Sequence, residues 1–273
     1  MWWILSMVLG VSYGMDSVTN AIQQAQKMAL KKNRREACAL LNRTWKTTPS
    51  QNHSRQKIVD SLQRISQVFF TDKGQRLYEA GQVQVFDNPD MALNQLREAQ
   101  SLEDENILVL SQMARAQIVK KDCDTALVTL EMARTLNPFA NEPSLLELRA
   151  LYCAKRFEIF RDKLKVMQSS DKWDQAFGNY LSAQDSLRNK ASHKAYEILM
   201  KVTEEFPAFP EAFYYLARAS QELEKDAVPY MQKYSILCKG VTLREKKKFS
   251  YEPHLCEHMK EVDDELASVA RDY

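Results

Sequence analysis

Metal-ligating side chains lie close together at one place in the sequence, near the C-terminus. Histidines four positions apart share one face of an α-helix, so His254 and His258 have the spacing of a metal-binding pair. Cys256 would point to another face of such a helix, and a third ligand would have to come from Glu257 or Glu261. Because two histidines alone seldom define a site, we expect no metal and no cofactor, and we interpret the acidic residues as solvent-facing charges.

The sequence contains none of the common catalytic or phosphate-binding motifs. G-x-S-x-G, a Walker-type glycine loop, H-E-x-x-H and C-x-x-C are all absent. The 6 glycines are scattered, whereas a loop that holds phosphate needs several glycines close together. We therefore predict a protein that is not an enzyme. The alternative is an accessory or enzymatic function that uses the cysteines and histidines near the C-terminus.

The composition indicates a helical protein without a strong net charge. The chain has 273 residues, of which 45% are hydrophobic, and this allows one large domain or two smaller ones. It has only 6 Gly and 8 Pro, which predicts an all-α fold with short turns. The 38 basic and 36 acidic residues nearly balance, so no overall field attracts nucleic acid, and we expect no nucleic-acid partner.

The first fourteen residues, MWWILSMVLGVSYG, have the features of a short signal peptide. They contain no charged side chain, and Ser12 and Gly14 are small residues at the spacing that a signal peptidase requires. We predict that residues 1–14 are removed and that the protein is periplasmic or secreted. The alternative is a buried N-terminal helix or an uncleaved anchor. No later stretch reaches the roughly 18 uncharged residues of a membrane span, so we expect no stable span in the mature chain.

Small and large apolar residues recur at an interval of 34 residues, or about twice that interval, from Ala92 onwards, and an earlier copy begins at Ala37. The repeated set is a small residue, a large apolar residue one turn later and another small residue: Ala37, Leu41 and Thr44; Ala92, Leu96 and Ala99; Ala126, Leu130 and Ala133; Ala195, Leu199 and Val202. A further small residue precedes each set, at Ala25, Ala80, Ala114 and Ala183, and Ala217 has the same place in the unit that starts at Pro210. Such a unit cannot bury its apolar face alone, so the pattern predicts stacked helix pairs that cross closely at the small residues.

Small residues at places 8, 20 and 27 of a unit and proline at place 32 resemble the tetratricopeptide repeat family. The resemblance covers roughly residues 18–240 and is best at 107–140 and 176–209. It implies an α-solenoid of stacked antiparallel helix pairs, with a right-handed superhelix and a C-terminal capping helix. The sequence departs from the family at Phe160, where the family has a small residue, and at Leu110 and Asn179, where it has an aromatic one.

The repeat frame predicts the organisation of the whole chain. The predicted segments are a signal peptide at 1–14, a first helix pair at 15–51, an extra helix at 52–72, repeats at 73–106, 107–140, 141–175 (degenerate), 176–209 and 210–240, and a basic turn with a capping helix at 241–273. The capping helix is predicted from about Pro253. Its apolar stripe consists of Leu255, Met259, Val262, Leu266 and Val269.

The resemblance also implies where a partner binds. In the family, ligands lie in a concave groove lined by residues of the first helices. Here those residues are Arg115, Phe177, Tyr180, Gln184, Leu187, Arg188, Tyr214, Arg218 and Gln221. Tyrosine and arginine anchor many protein interfaces, although these side chains would also suit packing between repeats. The implied function is a scaffold of the bacterial cell envelope or periplasm that binds a protein or peptide. The alternative is a structural spacer with weak self-association.

The five cysteines allow two disulfides in an oxidising compartment. In the repeat frame, Cys123 lies in the turn of one unit and Cys153 near the end of the first helix of the next. Cys238 and Cys256 lie on the last repeat helix and the capping helix. If the chain is exported, we expect these two pairs to form disulfides and Cys38 to stay unpaired. Reduced, half-buried thiols are the alternative.

Overall fold

The computed structural model describes residues 3–51, 53–103, 105–167, 171–241, 249, 252 and 254–271, with side chains from Ser17 onwards. Every regular element in this part of the chain is an α-helix, and it contains no strand. The all-α prediction is therefore confirmed. The scarcity of Gly and Pro explains why the helices are long and the turns between them are short.

The helices follow one another along the chain with brief connections. They are α1 (Trp3–Leu30), α2 (Arg34–Thr47), α3 (Ser54–Gln67), α4 (Asp72–Gln84), α5 (Pro89–Glu103), α6 (Ile107–Val119), α7 (Cys123–Leu136), α8 (Asn141–Cys153), α9 (Phe157–Val166), α10 (Lys172–Arg188), α11 (Ser192–Glu205), α12 (Pro210–Glu222), α13 (Val228–Lys239) and α14 (Met259–Val269). Residues 3–14 are thus continuous with the rest of α1. None of the described helices is both long enough and apolar enough to cross a membrane.

The chain divides into two compact units, Met1–Glu147 and Leu148–Tyr273. In unit 1, α4 packs on α5 and α6 packs on α7; in unit 2, α10 packs on α11 and α12 packs on α13. The first helices of neighbouring pairs also touch, α4 with α6 and α10 with α12. Each unit therefore consists of consecutive antiparallel helix pairs stacked side by side, and the predicted α-solenoid class is confirmed.

The turn inside a helix pair recurs with one backbone geometry. Its residue in the left-handed region has φ between 55° and 64° at five places: Lys32, Lys121, Lys155, Lys190 and Glu224. The next amide bonds a carbonyl five residues back, as when Asp122 N donates to Gln117 O at 2.9 Å. This is the Schellman ending of a helix, and it reverses the chain. A side chain in this conformation costs about 1 kcal/mol, which the packing of the two helices must offset.

Small residues lie at most of the predicted helix crossings, with one exception. Ala25, Ala114 and Ala183 are fully buried, but Ala80 is exposed. The neighbouring Gly81 is buried instead, and a Cβ added to it would lie 2.7 Å from Cγ of Leu96. The crossing therefore excludes any side chain larger than hydrogen. Gly81 thus takes the place at this crossing that the pattern assigned to Ala80, while Ala92 and Ala99 of the same repeat are buried as predicted.

The helix α3 lies in the segment where an extra helix was predicted. It packs against α1, α2 and α6, and its residues Ile58 and Leu62 are fully buried. They share one hydrophobic core with Leu41 of α2 and Ile107 of α6. The apolar stripe of this helix thus joins the first helix pair to the repeats of unit 1.

A solvent-free ion pair lies at the centre of unit 1. Arg34 and Glu103 have side chains that are 0% exposed, with Nη2 and Oε2 3.5 Å apart. The guanidinium of Arg34 also donates to the backbone carbonyls of Ile65 (3.2 Å), Val68 and Glu103, and it lies 4.2 Å from the ring centroid of Phe70. Arg34 therefore donates to backbone carbonyls at the end of α3, where a helix has no N–H groups of its own to bond them.

The carboxylate of Glu103 binds the other side of the same connection. It accepts hydrogen bonds from the backbone N–H groups of Phe70 (2.7 Å) and Thr71 (3.0 Å) and from the Thr71 hydroxyl (2.7 Å). Thr71 in turn caps α4 by accepting from Gly74 N at 3.0 Å. A side chain at Gly74 would overlap the Glu103 carboxylate, so glycine is required there. The ion pair thus fixes the link between α3 and α4.

Glu103→Gln removes the charge that faces Arg34 while keeping the size of the side chain. We expect it to lower the free energy of unfolding of unit 1 by about 3 kcal/mol, because the arginine would stay buried without its counter-charge. Glu98→Gln on the same helix is the control: its pair with Lys73 is exposed and contributes at most about 1 kcal/mol. Urea denaturation followed by circular dichroism measures both variants. Equal losses would contradict a structural role for the buried pair.

Candidate functional site

The predicted groove residues of unit 2 lie on α10 and α12. We define the α10–α12 face by residues of these two helices that point to the same side: Trp173, Phe177, Tyr180, Gln184, Tyr214, Arg218 and Gln221. Phe177, Tyr180 and Gln184 are buried. The Tyr180 hydroxyl donates to Glu252 of the chain's own C-terminal segment, by which we mean Phe249, Glu252 and residues 254–266.

Phe249 is inserted into a cluster of aromatic rings. Its ring centroid lies 5.0 Å from that of Trp173 and 5.1 Å from that of Phe209. Tyr180 closes the cluster, 4.9 Å from Phe209 in an edge-to-face arrangement. Such arrangements are favourable beyond the area that they bury. Phe249 therefore behaves as an apolar anchor of the C-terminal segment.

Glu252 forms a buried ion pair three residues after this anchor. Its side chain is 2% exposed, and Oε1 lies 2.9 Å from Nη2 of Arg149, which is 12% exposed. The Tyr180 hydroxyl donates to the other carboxylate oxygen at 3.0 Å. Burial alone would lower the pKa of Arg149, but the Glu252 carboxylate, together with Tyr180 and Tyr215, raises it above its ordinary value. Burial, together with Glu252, raises the pKa of Tyr180, so its hydroxyl stays protonated and donates.

Glu211 is a second buried carboxyl group beside the segment. Its Oε1 accepts hydrogen bonds from the Cys256 N–H and from the Tyr234 hydroxyl (3.5 Å). Burial, and then the neighbouring charge of Glu252, raise the pKa of the Glu211 carboxyl to about 8. At neutral pH this group is therefore a neutral acid, which suits a position without a cationic partner of its own.

The outer part of the segment is held at a more exposed edge of the face. The His258 ring stacks on Tyr214 with centroids 3.8 Å apart. Glu261 accepts from the Tyr214 hydroxyl at 3.1 Å and pairs with Arg218. Arg218 also pairs with Glu265 at 2.8 Å. These acidic residues, which were expected to be solvated charges, therefore form ion pairs with Arg218.

A disulfide connects the segment to α13. Cys238 and Cys256 are bonded, with their Cα atoms 5.6 Å apart. Cys123 and Cys153 are also in the disulfide form, whereas Cys38 is not in a disulfide. The carboxyl of Glu211 and the sulfur atoms of Cys238 and Cys256 lie within 4.8 Å of one another, a grouping able to bind a metal. With the two sulfurs joined, the group offers no thiolate to a metal.

The structure corrects the prediction of a helix from about Pro253. Residues 254–258 form turns, with Cys256 at φ 66°, and α14 begins at Met259. His254 and His258 therefore do not share a helical face as their spacing suggested. Their Nδ1 atoms each lie 3.3 Å from a carboxylate oxygen, of Glu257 and Glu261 respectively. The basic turn before them falls mostly outside the described residues.

Three predicted groove residues, Arg115, Leu187 and Arg188, are not part of this face. Arg115 belongs to unit 1, where it is buried and pairs with Glu142 at 2.6 Å. Arg188 lies over the ring of Phe157 at 3.7 Å and pairs with Asp185 at 2.8 Å. It therefore fastens α10 to α9, while Leu187 beside it is partly exposed.

Sequence reasoning missed the residues that bind the buried part of the segment. Arg149 is the ninth residue of the repeat at 141–175 and Glu211 the second residue of the repeat at 210–240. These are the places that the predicted groove residues Gln184 and Phe177 have in the repeat at 176–209, so the repeat frame contained the signal for both. Glu252 follows a stretch without periodicity, and no spacing marks it. Its role depends on a contact with a residue 103 positions away.

Comparisons with known proteins give only distant similarities. No protein-family model and no curated protein matches the sequence. Among solved structures, the chain is similar to "MamA RS-1 ArsTM double mutant" (20% identity, 66% of this chain and 98% of that chain, TM-score 0.47). It is also similar to yeast Tom70 (16%, 94% and 63%, 0.45) and to the P58(IPK) TPR domain (16%, 95% and 75%, 0.35). The fold assignment rests on the helix pairs and their recurring turns.

The raised pKa of Glu211 predicts how stability depends on pH. Folding moves the pKa from about 4.5 to about 8, so the folded state binds the extra proton, and the stabilisation is lost as pH rises through this range. Glu211→Gln mimics the neutral acid. We expect its stability relative to wild type to increase from pH 5 to pH 9, as measured by urea denaturation at each pH. Glu204→Gln, at an exposed site on α11, is the control, and a Glu211→Gln profile parallel to wild type would contradict this assignment.

Proposed function

We propose that this chain is a non-catalytic scaffold that binds a partner protein or peptide on the α10–α12 face. The observation that carries the proposal is that this face already holds a stretch of polypeptide through its side chains. Trp173 of this face contributes to the aromatic cluster around Phe249, and Arg218 at its edge pairs with Glu261. Arg149 of α8 supplies the buried cation for Glu252. Aromatic and arginine side chains in such pockets are the residues that dominate binding energy at protein interfaces.

The arrangement of the polar groups favours binding over catalysis. Arg149, Tyr180 and Glu252 are directed at one another, and the unusual pKa of Glu211 follows from burial. His258 is stacked on Tyr214 and lies beside Glu261. These contacts orient a bound segment, so they do not favour the alternative of an enzymatic site at the cysteines and histidines.

We further propose that the scaffold works in the bacterial periplasm or cell envelope. The uncharged residues 1–14 support export. The Cys238–Cys256 disulfide also supports it, because such bonds persist mainly in oxidising compartments. Helix pairs that stack in one direction provide a stiff surface suited to holding partners in an assembly.

Site-specific photo-crosslinking in the source organism tests the proposed face. A photoreactive amino acid replaces Gln221, an exposed residue at the edge of the α10–α12 face, or Lys201, an exposed residue of α11. We expect a partner to be crosslinked from position 221 and not from position 201. Both proteins must show the helical circular dichroism of wild type.

The remaining outcomes separate the proposal from its alternatives. A partner crosslinked only from position 201 would place the interface on the exposed side of α11 and not on the α10–α12 face. Crosslinks between copies of this chain alone would favour the structural spacer. Export is tested separately by fractionation, where retention of residues 1–14 in a cytoplasmic protein would contradict the proposed location.

A further inference from the structure

We infer that the C-terminal segment is a tethered ligand that occupies the α10–α12 face in place of a partner segment with the same chemistry. That chemistry is an aromatic residue followed three positions later by a carboxylate, as in Phe249 and Glu252, with an acidic helix after it. The inference rests on the proposed function. It adds the chemistry of the partner segment and the way in which access of that segment to the α10–α12 face is controlled.

The outer part of the segment is attached weakly enough to exchange. Val262 is the buried residue of α14, whereas α12 buries nine. The other contacts of α14 include Glu261, whose side chain is 47% exposed, and Glu265, at 32%. Exposed ion pairs of this kind contribute little to stability. Elements with few buried contacts open at lower free-energy cost than the core.

The face has hydrogen-bonding groups that its own segment leaves unsatisfied. Arg149 Nε, Trp173 Nε1 and Gln184 Oε1 are buried and have no hydrogen-bond partner among the described residues. They account for three of the six such side-chain atoms in that part of the chain. Buried polar atoms are nearly always satisfied in proteins. The described residues of the segment leave these three atoms unbonded, and a partner segment with suitable donors and acceptors has additional bonds to gain.

The buried arginine determines what can replace the segment. Removing Glu252 without a substitute would leave Arg149 buried without a counter-charge, which is strongly unfavourable. A competing segment must therefore bring a carboxylate to the same position. If that carboxylate also reached Arg149 Nε, the pair would become bidentate and stronger. An aromatic side chain must likewise fill the space that Phe249 vacates beside Trp173 and Phe209.

The disulfide controls this competition because it keeps the segment beside its site. Cys256 lies between Glu252 and α14, and its bond to Cys238 holds both anchoring regions near the face. A tethered ligand competes at a high effective concentration, so a separate chain binds more weakly while the tether is intact. Exchange with a dithiol yields the Cys238 and Cys256 thiols and oxidises the dithiol, which lengthens the tether.

Peptide binding to the full-length protein tests the inference. The probe is a fluorescent peptide of residues 249–266 with serine at the position of Cys256, and fluorescence anisotropy gives its Kd. A Cys238→Ser, Cys256→Ser double variant removes this disulfide and leaves Cys123 and Cys153 unchanged. We expect the double variant to bind the probe at least about tenfold more tightly than wild type, because the competing segment is less restrained.

Matched probes test the chemistry of recognition. Glu252→Gln or Phe249→Ala in the peptide should each weaken binding to the double variant at least about tenfold. Lys260→Gln, at an exposed residue, should leave the Kd unchanged. Equal affinity for the Glu252→Gln peptide would overturn the carboxylate requirement. No probe binding to a helical double variant would overturn the tethered-ligand inference altogether.

Hydrogen exchange gives an independent readout in the intact protein. Amides of residues 254–266 should exchange faster in the double variant than in wild type, while amides of α10 should not change. Equal protection of the segment in both proteins would mean that it is a fixed part of the fold. A partner crosslinked from position 221 without peptide binding would refute this inference alone, whereas peptide binding without any partner would refute the proposed function alone.

Discussion

The buried ion pair between Arg149 and Glu252 is the constraint on which the functional part of unit 2 depends. It joins a residue of α8 to one that follows the last repeat helix, and its carboxylate also contributes to the ionisation of two neighbours. Burial and then the charge of Glu252 raise the pKa of Tyr180, so its hydroxyl stays protonated. The same two causes, in the same order, push Glu211 towards its neutral form. One anion is thus balanced by one cation, and a second carboxyl nearby is tolerated only when neutral.

Unit 1 also contains a buried ion pair, but this pair has a different structural role. Arg34 and Glu103 satisfy backbone groups where the chain leaves α3 and enters α4, a place where the extra helix interrupts the regular stacking. The recurring left-handed turn closes the connection inside a helix pair. The connection from α3 to α4 does not use this turn, and charged side chains supply donors and acceptors to its backbone. The Arg34–Glu103 and Arg149–Glu252 pairs thus each involve a segment that lies outside the regular repeats.

The regular part of the fold was predictable from sequence because it depends on local spacing. Small residues at a 34-residue interval identified the helix crossings, and the error at Ala80 arose because Gly81 meets the same steric requirement one position later. The occupant of the α10–α12 face was not predictable. Glu252 acts through a partner far away in sequence, and Cys256 adopts a positive φ that ends any helical pattern. Periodicity describes neighbours along a helix, and it cannot describe a segment that returns to an earlier one.

The burial of Cys38 has a consequence for how the protein acquires its covalent structure. Disulfides rearrange when a thiolate attacks a bonded sulfur, so a reactive thiol in the same chain is a hazard during oxidative maturation. Cys38 is only 1% exposed in the core of unit 1. Once that core forms, the sulfur of Cys38 is buried and does not reach the bonded sulfur atoms of other cysteines. Early collapse of unit 1 would then protect the correct pairing of the remaining cysteines, which makes the order of folding itself a safeguard against scrambled isomers.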